Sequence, residues 1–195
     1  MPRCKAQNFD AARNLCPAFF LVFGNMPELA PIIITAQMGK EDQAWADGLR
    51  RAHFPPERNF LDAHITLFHH LPPGHLAEIK ARLSALAKDS PPPRARVSEV
   101  MMLGRGVAYR VESADLLAMR DELADAFTGL LIPQDQATPR LHITIQNKVE
   151  PKVAKVLHAV LSGIFRPHPL TISGLSAYYY RGGPWEMIGS WSFRG

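Results

Sequence analysis

Cysteine is nearly absent from this chain: of 195 residues, only Cys4 and Cys16 carry a thiol. Both fall in the first 16 residues, so neither can staple a core, and no set of four sulfur ligands for a structural zinc exists. A reduced, cytoplasmic setting follows as the default. Long hydrophobic runs are missing as well. The longest early one, Leu15 to Phe23, is interrupted by Pro17 and falls far short of the roughly 20 residues a membrane span needs, so no membrane partner is expected. Charge of one sign is scarce: 22 Lys and Arg against 18 Asp and Glu leave a net +4. That excess does not specify a nucleic-acid binder, but it permits an anionic ligand. No phosphate-cradling glycine-rich loop of the Walker type occurs, which argues against the use of ATP.

What is present is a globular composition. Hydrophobic residues at 47% and charged residues at 21% exclude a disordered chain or an all-polar coiled coil, and the length suits one compact domain or two small fused lobes. At the N-terminus, Arg3, Lys5 and Arg13 precede the apolar run as the basic region of a signal peptide would. No small-x-small cleavage site follows, and Met26 opens a fresh segment leading into a strand. Residues 1–25 therefore read as an N-terminal extension, expected to be disordered and to stem from a misplaced start codon, with residues 26–195 as the domain.

Along the domain, strand and helix patterns alternate. Ile32-Ile33-Ile34-Thr35 is a β-branched run of strand length. Helical spacing follows from Glu41, with Trp45, Leu49 and Ala52 on one side; Leu61 to His69 is again strand-like. After Pro72-Pro73-Gly74, the series Leu76, Ile79, Leu83, Leu86 marks an amphipathic helix that Pro91-Pro92-Pro93 ends. Strands at Arg94–Leu103 and Val107–Val111 flank the turn Gly104-Arg105-Gly106. The order then repeats: a helix from Asp115 with Leu116, Met119, Leu123 and Phe127, a strand at 141–146, and a helix after Pro151 with Val153, Val156, Leu157, Val160 and Ile164 expected inward. Strands around Arg181-Gly182-Gly183-Pro184 close the chain. Helix starts at 41 and 115, the strand residues 64 and 142, and helix starts at 74 and 151 lie 74, 78 and 77 residues apart. This near-constant offset predicts an α+β, bilobal duplicated fold: two antiparallel-rich sheets with flanking helices around a central cleft, the lobes covering about 30–103 and 106–194.

The corresponding strands carry the same word, His64-Ile65-Thr66-Leu67 and His142-Ile143-Thr144-Ile145. A lone His-x-Ser/Thr is expected by chance about 0.6 times in such a composition and means nothing; with Ile inside and an aliphatic residue after, the expectation drops to about 0.004. Side chains two apart on a strand share a face, so each word presents one imidazole and one hydroxyl together. The opposite faces read Leu61, Ala63, Ile65, Leu67 and Leu141, Ile143, Ile145, which is core. The polar faces continue through Asp62, Phe68, His70 and through Arg140, Gln146, Lys148. A metal site is not expected, because no cysteine or carboxylate set accompanies the histidines, and His69, His70 and His75 read as a surface-loop cluster.

Two His-x-Thr tetrapeptides in duplicated lobes resemble the two-histidine (2H) phosphoesterases, which include the 2′-5′ RNA ligase-like and RNA 2′,3′-cyclic phosphodiesterase proteins. The resemblance spans roughly residues 30–194. It implies a bilobal α+β fold with its site between the lobes, and chemistry on cyclic or 2′-5′ phosphodiesters of RNA or nucleotides without metal or other cofactor. On that match His64 and His142 carry over as catalytic histidines, and Thr66 and Thr144 as phosphate-binding hydroxyls. The expected substrate contacts beyond these are Arg140 toward phosphate and Phe68 and Gln146 toward a base; Tyr178-Tyr179-Tyr180 and Trp185 are ordinary strand aromatics first and a base platform second. A non-catalytic nucleotide- or RNA-binding module and a 2′-5′ RNA ligase are the competing readings, and a monomer is the expected state. The approximate symmetry of the halves leaves open which histidine is base and which is acid.

Overall fold

A computed structural model describes residues 30–195; the expectations for residues 1–25 and the segment from Met26 lie outside them. Fourteen-residue helices and short strands follow the alternation in the sequence. The first half contains β1 (Ile32–Met38), α1 (Lys40–His53), β2 (Ile65–Leu71), α2 (Leu76–Asp89) and β3 (Arg94–Met102). The second contains β4 (Val107–Glu112), α3 (Ala114–Ala126), the single turn α4 (Pro133–Gln136), β5 (His142–Gln146), α5 (Pro151–Ile164) and β6 (His168–Tyr179), and β7 (Glu186–Ser192) closes the chain. Local chemistry sets the ends. Ser113 caps α3 by accepting a hydrogen bond from the Leu116 amide at 3.0 Å, and Gly104 takes φ +74° in the β3–β4 turn, where a side chain would be strained.

All strand pairs are antiparallel, and the sheet path runs β2-β1-β6-β3-β4-β5, with β7 added to β6. The long β6 joins two halves of the sheet. Its residues 168–171 pair with β3, and its residues 172–179 pair with β1. Each half of the chain therefore lends its closing strand to the sheet built on the other: β3 pairs with β4, which pairs with β5, and β6 pairs with β1, which pairs with β2. The sheet curls until its two ends, β2 and β5, touch. Those are the two His-x-Thr strands, so the topology itself brings the repeated words together.

A single apolar cluster runs through both halves, from Ile32, Ile65 and Leu83 to Leu116, Ile143 and Leu175, all fully buried. Two helices turn differently from their expected register. In α1 the buried residues are Ala46 and Arg50, with Trp45 and Leu49 half-buried, while Ala52 is exposed. In α5 the stripe Val153, Val156, Val160 and Ile164 faces outward, each more than half exposed, and Ala154 and Leu161 point in, with Leu157 and His158 half-buried. The sequence of α5 offers two apolar stripes one residue apart, and periodicity alone cannot choose between them. The choice is made by the small Ala154, which allows close approach to the sheet, and by His158, whose Nε2 donates to the Val100 carbonyl at 3.2 Å.

Candidate active site

β2 and β5 present their words in matching surroundings. Thr66 pairs across the sheet with Thr35, and Thr35 with Ser176; Thr144 pairs with Ala108, and His142 with Arg110. His64 stands one residue before β2, and His142 opens β5. All four motif side chains are half-buried. Each imidazole is held the same way: His64 Nδ1 donates to the Asp62 carbonyl at 2.8 Å, and His142 Nδ1 donates to the Arg140 carbonyl at 2.7 Å. A carbonyl can only accept, so the proton of a neutral ring sits on Nδ1, and Nε2 is left with its lone pair. The arrangement is a pair of oriented imidazoles, each beside a hydroxyl.

The symmetry is broken above His64. Trp185, at the end of the β6–β7 turn, lies over it with ring centroids 4.6 Å apart, and Tyr178 packs on Trp185 at 5.5 Å. Burial of the ring lowers the His64 pKa to about 4, against the opposing pull of the Asp62 carbonyl and helped by the charges of Arg50, His142 and His69. His64 is thus neutral at neutral pH.

Both strands carry a bulge at the same place. Ile34 pairs with Phe68 and Thr35 with Thr66, leaving Leu67 extra; Val107 pairs with Gln146 and Ala108 with Thr144, leaving Ile145 extra. A bulge puts two successive residues on one side of the sheet. Phe68 and Gln146, expected to line the cleft and meet a base, are instead turned into the core: Phe68 is fully buried against Phe127, and Gln146 is 5% exposed. Lys148, expected on the polar face of the strand, lies beyond the end of β5 with φ 60°. The side chain of Arg140 is exposed at the entrance to β5, and its carbonyl orients His142.

Buried charges the sequence reading missed tie these strands down. Arg50 of α1, 5% exposed, donates from Nε to Asn59 Oδ1 and the Leu61 carbonyl, both at 2.8 Å, and from Nη1 to the Thr144 carbonyl at 2.9 Å. One guanidinium thereby spans the approach to His64 and the hydroxyl-bearing residue of the other motif. Asp47 accepts from the Ala63 amide at 2.6 Å, next to His64. From the second half, Asp135 of α4, 1% exposed, accepts from the amides of His69 and His70 at 2.9 Å each and from His69 Nδ1 at 2.9 Å. Arg120 of α3 holds the carbonyls of Asp135 and Ala137 and lies 4.8 Å from the centre of the Phe68 ring. Arg50 and Arg120 occupy equivalent helices and do equivalent work, each bracing the loop that leads to a motif strand. Arg110, directly across from His142 and paired with Glu99 at 3.1 Å, adds a cation to the open face.

Beside His64 opens a cavity of about 770 Å³, lined by Gln37, Lys40, Phe60, His64, Tyr178 and Trp185 among others. Among the described residues, no group of three or more His, Cys, Asp or Glu side chains converges as a metal site would require, and no helix is long and apolar enough to cross a membrane.

The fold is a duplicated antiparallel α+β arrangement in which the two His-x-Thr strands come into contact, and its class is that of the two-histidine phosphoesterases. Within it, the chain belongs to the 2′-5′ RNA ligase superfamily, whose family model matches residues 39–184. Among solved structures, TT0787 of Thermus thermophilus is similar at 18% identity over 85% of this chain and 98% of its own, with a TM-score of 0.62. A crystal structure named only as a phosphoesterase covers 86% of this chain and 100% of its own at 18% identity and TM-score 0.53. E. coli LigT, solved with 3′-AMP, covers 85% and 99% at 18% identity and TM-score 0.51. These likenesses establish the fold. No curated protein matches the sequence.

Proposed function

We propose that the protein is a metal-independent phosphodiesterase that opens 2′,3′-cyclic phosphates, or cleaves 2′-5′ linkages, of RNA or nucleotides. The observation that carries this reading is the pair of equivalently held imidazoles: both Nδ1 atoms are committed to backbone carbonyls two residues back, which leaves both Nε2 atoms for proton transfer. Ring opening needs one group to take a proton from the attacking water as the new P–O bond forms. It needs another to give a proton to the ribose oxygen as the old P–O bond breaks. Two imidazoles, one neutral and one protonated, do both. Thr66 and Thr144 donate hydroxyl hydrogen bonds to the non-bridging oxygens as their charge grows. Membership of the 2′-5′ RNA ligase superfamily and the 3′-AMP bound to LigT support a nucleotide ligand. Ligation at a 2′-5′ junction is the same ring opening with a ribose 5′-hydroxyl in place of water as the attacking group, the 3′ oxygen leaving with the proton, and in dilute aqueous solution hydrolysis is the net direction.

The test is to incubate the purified protein with 2′,3′-cyclic mononucleotides, a cyclic-phosphate-ended RNA and a 2′-5′ dinucleotide in excess chelator, and to identify the products. Phosphomonoester formation is expected. Activity that vanishes in chelator and returns with a divalent ion would overturn the metal-independent mechanism.

A further inference from the structure

Of the seven large apolar side chains exposed among the described residues, four lie on one helix: Val153 at 51%, Val156 at 60%, Val160 at 57% and Ile164 at 71%, all on α5. The other three, Phe60, Tyr180 and Met187, are spread over a loop and the closing hairpin, so α5 is where apolar surface concentrates. In a lone chain these residues bring no advantage. Val and Ile are weaker helix formers than Ala, Leu or Lys, and at outward positions they gain no burial. Val153, Val156 and Val160 recur at intervals of three and four, the spacing of a seam between two helices, and Gly163 continues it. Ala159 borders the seam on one side, and Gly163 adds no side chain to it, so a second helix can approach closely.

We infer that a second copy of this chain covers the stripe, α5 packing antiparallel on α5 about a two-fold axis, so that the protein is a homodimer rather than the monomer expected from its sequence. A patch that packs on its own copy is the contact a two-fold dimer requires. The stripe holds roughly 400 Å² of apolar surface, in the range that marks interaction sites. Two such stripes with their rims bury roughly 1,000 Å², the area at which specific interfaces begin. Charge sets the direction. Glu150 and Lys152 stand at the N-terminal end of α5 and Arg166 follows its C-terminal end, all exposed. Glu150 is paired with Arg105 at 3.3 Å, yet its side chain is 77% exposed and open to a second cation. Antiparallel order sets Glu150 of each copy beside Arg166 of the other, and Lys152 beside the carbonyl end of the other helix, where a cation is favoured. Parallel order would set Glu150 on Glu150 and Lys152 on Lys152. Because α5 packs on β3 and β4 and no stripe residue belongs to a motif strand, the dimer stands apart from the phosphodiesterase reading.

The experiment is sedimentation velocity on the full chain in reducing buffer, from about 1 μM to about 1 mM, the range in which an interface this small dissociates. The wild type is expected to pass from one chain to two as concentration rises. Val156→Glu and Val160→Glu, each at a position more than half exposed, are expected to keep the wild-type circular dichroism and to weaken association at least about tenfold. In antiparallel order residue 156 of one copy faces residue 160 of the other. Val156→Glu chains mixed with Val160→Lys chains are therefore expected to associate more tightly than either variant alone. A wild type that stays a single chain throughout would overturn the proposal. So would a dimer that both glutamates leave intact, because it would use another face, and a mixture no tighter than its components would overturn the antiparallel order. The apolar run Leu15 to Phe23 of the same chain is the competing occupant. A wild type that stays single while the full chain carrying Phe19→Asp and Phe20→Asp dimerises would place that run on the stripe instead of a second copy.

Discussion

At the scale of single residues, the site depends on which nitrogen of each histidine is free. Replacing His64 or His142 with Ala is expected to lower the rate on a 2′,3′-cyclic phosphate at least about 10²-fold, the usual scale for loss of one acid or base; steady-state kinetics on each variant checks it. The coverage of His64 by Trp185 gives a second expectation. With a folded pKa of about 4 against an ordinary value of 6.5, the folded protein binds fewer protons at this site than the unfolded chain between those pH values. The contribution of His64 to stability is therefore lost as pH falls from about 6.5 toward 4. Trp185→Ala re-solvates the ring and is expected to raise its pKa, which an NMR titration of the His64 ring protons reads directly. A titration unchanged from wild type would show that Trp185 is not what desolvates His64.

At the scale of elements, the two motif strands are held from both halves by buried charge. Arg50 reaches the Leu61 and Thr144 carbonyls together, so it ties the loop that leads into β2 to β5, with which β2 shares no hydrogen-bonded pairing. Arg50→Met is expected to cost about 3 kcal/mol in urea unfolding, because charge-assisted bonds to buried carbonyls are lost and the acceptors stay unpaired. Arg50→Lys cannot reproduce the fork and is expected to retain fold and substrate KM while lowering kcat. Asp135 acts on β2 in the same sense. Burial would raise its pKa, but hydrogen bonds from the His69 side chain and the His69 and His70 amides outweigh burial and hold it below the ordinary carboxylate range. Its stabilisation is present at neutral pH and lost as acid protonates it. Asp135→Ala is expected to destabilise the protein and to flatten this acid dependence, measured as unfolding midpoints from pH 3 to pH 7.

At the scale of the whole molecule, β6 is shared by both parts of the sheet, and each half of the chain is completed by the other. Residues 30–103 alone would leave β3 without β4 and β1 without β6, exposing strand edges and core. Fragments 30–103 and 106–195 are therefore expected to be unfolded separately and to acquire dispersed NMR spectra only when mixed. A folded first fragment would show that the lobes are independent.

The amino-acid pattern by itself determined the duplicated element order, because helix and strand periods, proline stops and glycine turns are local. It also determined the two His-x-Thr words, since a repeat is visible without any contact being known. It could not place Phe68 and Gln146, because alternation assumes regular pleating and both strands are bulged. It gave no sign of Arg50, Arg120 or Asp135, charged residues that read as solvent-facing until their partners, up to 94 residues away in sequence, are known. Nor could it assign the apolar stripe of α5. Only the tertiary structure decided that β2 and β5 meet, and that one of two look-alike histidines lies under a tryptophan. Both outcomes come from strand exchange and chain reversal, in which long-range pairing sets the environment of each residue and local propensity does not.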